Sequence, residues 1–113
     1  MLVCYVAHPI AGDVPGNLAK LRAWIALAQP KHPGRAFVAP YITWLECGDD
    51  DGSRDSRALG LVRDLAVLAR CDELWLVGDQ LSPGMWLERE EARRRGIRVV
   101  DCIHETYPQV FTL

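Results

Sequence analysis

Two hydrophobic rhythms alternate along this chain. Leu2 to Ala7 is an unbroken apolar run closed by His8-Pro9, the pattern of a strand buried on both faces. Gly12, Pro15 and Gly16 predict a loop, with Asn17 placed to cap the first helix. From Leu18 to Gln29 the positions Leu18, Leu21, Ile25 and Ala28 keep helical spacing, until Pro30, Pro33 and Gly34 stop it. Ala36 to Ala39 is a second short strand ended by Pro40. Residues 41 to 56 then read as a long loop, with Tyr41 and Trp44 first and the run Gly48-Asp49-Asp50-Asp51-Gly52-Ser53 after them. A loop of that length in a small domain is more often functional than idle.

The helical period returns from Asp55 to Arg70, where Ala58, Leu61, Val62, Leu65, Leu68 and Ala69 form a broad apolar face. That face is wide enough to serve a subunit contact as well as a core. Glu73 to Val77 is a third strand, closed by Gly78-Asp79. Ser82 as N-cap with Pro83 at the first helical position opens a third helix. Gly96 ends it, Ile97 to Cys102 supplies a fourth strand, and Ile103 to Leu113 shows no clear period.

The order β-α-β-α-β-α-β predicts one α/β domain over residues 1–113. Its sheet is parallel and four-stranded, with helices on both faces: a small doubly wound, flavodoxin-like or Rossmann-like α/β/α fold. Such sheets bind ligands beyond the carboxyl ends of the strands, where the strand order reverses. Three segments meet there: His8 to Gly16, Pro40 to Arg57, and Gly78 to Gly84.

Composition narrows the partners. With a formal net charge of -2 the chain lacks the basic face of a binder of nucleic acid polymers. The cationic run Arg93-Arg94-Arg95 lies in a helix beside Glu90 and Glu91, which predicts solvated ion pairs. The run after Met1 is too short to span a membrane and has no basic segment before it, so it reads as a strand rather than a signal peptide. Cys4, Cys47, Cys71 and Cys102 form no C-x-x-C pair, which points to free thiols in a cytoplasmic protein rather than a metal or redox site. Cys4 and Cys102 fall in predicted strands, as small hydrophobes. Asp49-Asp50-Asp51 lacks the remaining spacing of a calcium loop.

One residue breaks the pattern of the third helix. At about 100° per residue, Met85, Glu88, Ala92 and Gly96 share a narrow stripe, and Met, Ala and Gly there mark the side that packs on the sheet. Glu90 and Glu91 point away, each four residues before an arginine, Arg94 and Arg95, the favourable order for surface pairs. Glu88 has Ala92 at that position. It therefore faces the sheet about a turn and a half into the helix, where the helix N-terminus favours its anion and burial favours its acid. A carboxyl in that balance suits nucleophilic or acid–base work; the plain alternative is a glutamate that bonds Arg89, Arg95 or a backbone group.

Several segments together resemble the nucleoside 2-deoxyribosyltransferase-like superfamily over nearly the whole chain. They are Tyr5-Val6-Ala7-His8-Pro9-Ile10-Ala11-Gly12, Ala39-Pro40-Tyr41, Arg57-Ala58-Leu59-Gly60-Leu61, Cys71-Asp72-Glu73-Leu74-Trp75-Leu76-Val77-Gly78, and Ser82-Pro83-Gly84-Met85-Trp86-Leu87-Glu88 with Ala92. The nearest branch is the small bacterial and phage domains of unassigned function. The resemblance implies that Glu88 is a nucleophile attacking the anomeric carbon of a nucleoside or nucleotide, with water or a second base as acceptor. Ser82 stands where the transferases often carry an aspartate, and Met85 where threonine is common. A serine there is more like the deoxynucleoside monophosphate hydrolases, in which it helps hold phosphate.

The remaining candidates each have a structural alternative. Ser82 and Gly84 would bind an anion with free N–H groups at a helix start, or Ser82 only caps. His8, in the first loop with Gly12 and Asp13, would bond a sugar hydroxyl or phosphate, or is a turn residue. Tyr41 and Trp44 would stack on a base, or form the small core under their loop. Arg57 would hold a phosphate or carboxylate, or pair with Asp55 or Asp51. Asp79 would orient the sugar or act as second acid/base, or bond its own turn. Asp72 lies on the far side of the sheet and reads as structural. The expectation is an N-glycosidase or deoxyribosyltransferase that needs no cofactor or metal. It would form a homodimer through the second helix and exposed Trp86-Leu87. The alternative is a binding module that holds a nucleotide derivative in the same cleft without turning it over.

Overall fold

The computed structural model describes residues 1–47 and 53–103. In chain order the elements are β1 (Leu2–Ala7), α1 (Val14–Ala28), a short 3-10 turn (Gln29–Lys31), β2 (Arg35–Val38), α2 (Tyr41–Glu46), α3 (Arg54–Leu68), β3 (Glu73–Leu76), α4 (Pro83–Arg94) and β4 (Arg98–Asp101). The strands run parallel in the order β2-β1-β3-β4, the small three-layer α/β/α, Rossmann-like arrangement that the alternating pattern predicts. After β2 the chain crosses back over β1 to reach β3, so the order reverses between the carboxyl ends of β1 and β3.

Register decides what each face carries. Cys4 is level with Phe37 and Glu73, and Tyr5 with Val38 and Leu74. Since side chains alternate along a strand, Cys4, Val6, Phe37, Glu73 and Trp75 share one face, while Tyr5, Ala7, Leu74 and Leu76 share the other. The first face is covered by α1, whose Trp24 meets Phe37 and Trp75 edge-on at 5.3 and 6.0 Å between ring centroids. The second lies under α3 and α4.

At the amino end of the first face one carboxylate ties four strands together. Glu73 is 3% exposed. It accepts from Arg35 of β2 at 2.8 and 3.2 Å, Arg98 of β4 at 3.1 Å, the Trp75 indole at 2.9 Å and the Cys4 thiol of β1 at 3.3 Å. Those donors, Arg35 first, hold its pKa down at about 2 against the effect of burial. Beside it, Asp72 accepts from the Val3 N–H at 2.7 Å, the structural role read for it. The outer edge of β2 is closed by the Gln29 side chain, which donates to Arg35 O at 2.5 Å and accepts from Phe37 N at 3.0 Å. A neighbouring strand would use those same groups.

Four details depart from the sequence reading. The first helix begins at Val14, because Asp13 rather than Asn17 caps it by accepting from Gly16 N. Pro15 fits the first turn, where an N–H has no helical partner. Asn17 lies inside α1 and donates to Ile10 O and Ala11 O, tying down the preceding loop. Second, residues 41–46 of the expected long loop are helical, anchored where the buried Tyr41 hydroxyl donates to Val6 O at 2.8 Å. The run Asp49-Asp50-Asp51 and the tail beyond Ile103 lie outside the described residues. Third, Gly96 is not part of the buried stripe of α4: it sits exposed at the helix end with φ +71, a conformation suited to glycine. Fourth, Glu90 pairs with Arg93 at 3.2 Å instead of Arg94, while Glu91 bonds both Arg94 and Arg95.

Cys4, Cys71 and Cys102 are buried thiols and Cys47 is exposed, all four unbridged; Cys102 lies just beyond β4. On α3, Leu68 is buried but Leu59 and Val62 are 49% and 62% exposed. Trp86 and Leu87 of α4 are also open to solvent. Among the described residues, no helix is long and apolar enough to cross a membrane.

Candidate functional site

The start of α4 is built as its sequence predicts. Ser82 has extended backbone and accepts from Met85 N at 3.3 Å through its hydroxyl, and its own N–H meets Met85 Sδ at 3.5 Å. Pro83 follows without an N–H to satisfy. This cap sets the helix so that Met85, Glu88 and Ala92 turn to the sheet, with 1%, 6% and 0% of their surface exposed.

Glu88 thus buries a carboxyl under α4, and its Oε2 has no hydrogen-bond partner. An unsatisfied buried polar atom costs about 1–3 kcal/mol, so its retention calls for an explanation. Burial pushes the Glu88 pKa up to about 8; the Tyr5 hydroxyl pulls it down, and the charge of Asp64 adds to the rise. The Tyr5 hydroxyl is near enough to act as a donor, yet no bond of good geometry closes, and Tyr5 Oη is itself buried without a partner. Burial first, then the charges of Glu88 and Asp64, push the phenols of Tyr5 and Tyr41 upward as well. The two rings lie 6.2 Å apart at 50°.

Four elements therefore converge on one polar cluster: β1 with Tyr5, α2 with Tyr41 and Trp44, α3 with Asp64, and α4 with Glu88. Trp44 donates its indole N–H to Asp64 at 2.9 Å and lies under the Arg63 guanidinium at 5.6 Å. Its polar group is thereby engaged in holding Asp64, as the Tyr41 hydroxyl is engaged with Val6. Sequence reasoning missed Asp64 and Tyr5. Asp64 had a signal, since it interrupts the inward spacing Leu61, Leu65, Leu68 much as Glu88 interrupts its own stripe. Tyr5 had none, being one more large residue in a continuous apolar strand.

A second group lies where the strand order reverses. His8 is 5% exposed, and its Nδ1 is 2.7 Å from Pro9 O. Its ring packs on Gly78, whose φ of +110 and close neighbours both require glycine: a Cβ there would come within 2.8 Å of Pro9 Cδ and 3.3 Å of His8 Cδ2. Burial lowers the His8 pKa, while the Pro9 bond and the Asp79 charge oppose that and Lys20 adds to it. The His8 backbone bonds the Tyr41 oxygen, which links this group to the Glu88 cluster. Asp79 is exposed beside it. Gly12 lies exposed in the first loop with φ +95, and Arg57 stands exposed in the first turns of α3. The structure therefore gathers Glu88, Tyr41, Trp44 and Met85, joins His8 and Asp79 next to them, and leaves Gly12 and Arg57 on the surface.

With this geometry in hand, the comparisons give a family and no activity. The model of a domain of unknown function, DUF7768, matches residues 2–102, and the chain belongs to that family. No curated protein and no solved structure matches the chain.

Proposed function

We propose that this DUF7768 domain cleaves the N-glycosidic bond of a nucleoside or nucleoside monophosphate, with Glu88 as nucleophile. The observation that carries the reading is a buried carboxyl unpartnered at Oε2, set beside a second carboxylate and two phenols. The likeness of Ser82 to Ala92 to the nucleoside 2-deoxyribosyltransferase-like superfamily supports the same assignment. In the reaction, a Glu88 oxygen bonds to C1′ as the C1′–N bond breaks. The bonding pair leaves with the base, which takes up a proton. Water or a second base then displaces Glu88 from C1′. Asp64 is the second carboxylate of this site, and Tyr5 the donor that stabilises ionised Glu88.

With a pKa of about 8 the free protein holds Glu88 mostly protonated at neutral pH. The nucleophile is the ionised form, so turnover rises with pH through that region. The same observation favours one second reading: a protonated Glu88 is a hydrogen-bond donor, which suits a module that binds a nucleotide derivative without cleaving it. Free thiols fit a cytoplasmic location. Exposed Leu59, Val62, Trp86 and Leu87 fit a homodimer.

The test is base release, followed by chromatography, from a panel of nucleosides, nucleoside monophosphates and NAD. Wild type is expected to release base from at least one of them, and Glu88→Gln to lose at least about a thousandfold in rate. If wild type releases nothing while a nucleoside binds equally to both proteins, the binding module is the correct reading.

A further inference from the structure

Helix α3 is apolar on two sides. Leu65 and Leu68 on its inward side join the core. A second apolar stripe faces solvent, where Leu59 and Val62 lie open and Ala66 follows one turn on. At about 100° per residue these three share one line with Asp55 of the first turn. Arg70, in the turn that closes the helix, ends the line. It spans about 22 Å. Beside its carboxyl-terminal half runs an apolar groove of about 620 Å³, between Val3 and Val38 of the sheet and Ala66, Val67 and Cys71. Arg70 lines it as well, and folds back along the helix to donate to Ala66 O at 2.7 Å.

Two gradients run along this line. Bulk falls from Leu59 and Val62 to Ala66, and charge changes from Asp55 at the amino end to Arg70 at the carboxyl end. Such a surface is complementary to itself when reversed. A second copy, turned about an axis beside Val62 and perpendicular to the helix, sets Asp55 opposite Arg70 of the other chain and Leu59 opposite Ala66. Val62 then meets its own counterpart. One register satisfies all three pairings. It also brings Leu59 of each copy to the mouth of the groove that Ala66 lines in the other.

Helix α4 offers no such surface. Trp86 and Leu87 are exposed, but the next turns on that side carry Glu90, Arg93 and Arg94, in ion pairs within their own helix. The apolar patch ends there.

We infer that α3 is the homodimer contact: it packs antiparallel on α3 of a second copy about a two-fold axis at Val62, with Asp55 of each chain paired to Arg70 of the other. The inference rests on the homodimer reading and not on the chemistry at Glu88. One helix pair buries less than a standard stable interface, so the dimer is expected to dissociate in the micromolar range.

The test is sedimentation velocity of the full chain over a concentration series. Wild type is expected to show a monomer–dimer equilibrium. Val62→Glu, which sets two carboxylates against each other at the axis, is expected to weaken it at least about a hundredfold, while Trp86→Glu leaves it unchanged. Asp55→Arg and Arg70→Asp each put like charges at both ends of the helix pair and are expected to weaken association about tenfold. Mixed together, the two variants restore opposite charges at both ends. A heterodimer of near wild-type affinity is then expected, followed with one chain fluorescently labelled. Loss of folding in either variant cannot produce that recovery. A dimer that survives Val62→Glu and falls to Trp86→Glu overturns the inference and keeps the homodimer. So does a dimer broken by Val62→Glu whose charge variants fail to recover on mixing, since the register is then another one. A wild type that stays monomeric at every concentration removes both.

Discussion

Among the described residues, Glu73 and Glu88 are the buried carboxylates, 3% and 6% exposed, on opposite faces of one small sheet. Around Glu73, four donor side chains from three of the strands and the edge strand β4 converge, and its pKa falls to about 2. Around Glu88 stand an unbonded phenol and a second carboxylate, and its pKa rises to about 8. Burial raises both; the partners decide the outcome. A buried acid that the fold has fully satisfied holds strands together. One that the fold has left short of partners is at work on something else, or is a standing cost to stability.

The two should answer pH in opposite senses. Glu88 has a folded pKa above the ordinary carboxyl value of 4.5, so the folded state holds its proton more tightly and stability declines as pH rises from about 4.5 through about 8. Glu88→Gln removes that decline. It is expected to be more stable than wild type at pH 9 by up to about 4 kcal/mol, and close to it near pH 5, in urea unfolding at the two pH values. A wild type that keeps its full stability up to pH 9 would mean that Glu88 is better solvated than its burial implies.

Glu73 is the mirror case. Its folded pKa is depressed, so the stability it confers is present above about 4.5 and lost as pH falls through about 2. Glu73→Gln leaves Arg35 and Arg98 without their carboxylate and is expected to cost roughly 3 kcal/mol at pH 7. The remaining folded protein should keep its site, so the base release proposed for wild type, taken per folded molecule, is expected to stay near the wild-type rate. A stable Glu73→Gln, or one that folds but fails in catalysis, would erase the distinction between the two glutamates.

The smallest effect falls on Asp64. Its charge helps keep Glu88 protonated, so Asp64→Asn is expected to move the Glu88 titration, and with it the alkaline rise in rate that the proposed glycosidase reading entails, to lower pH. The same amide retains an oxygen for the Trp44 indole, and stability at neutral pH should change by about 1 kcal/mol or less. If the pH–rate profile does not move, Asp64 is part of the scaffold and not of the electrostatics of Glu88.

How much of this was legible along the chain differs between the elements. The α4 start and its inward face were readable, because Ser82, Pro83 and the spacing of Met85, Glu88 and Ala92 are local signals. Asp64 was readable by the same test but lay hidden in an apolar helix. The helix at residues 41–46 was not, since a six-residue segment depends on Tyr41 reaching Val6, thirty-five positions away in sequence. The Asp13 cap was obscured by Pro15 and Gly16, which read as loop residues yet fit a helical first turn.

By itself the sequence determined the alternation of strands and helices, the parallel three-layer sheet that results from it, and the oddity of Glu88. Those rest on periodicity and on caps, which act within a few residues of chain. Only the tertiary structure decided which buried glutamate is satisfied and which is not. A carboxylate's pKa depends on donors a few ångströms away in space, and those of Glu73 come from residues 4, 35, 75 and 98. No reading along the chain sums contributions from strands so far apart; the register of the sheet does.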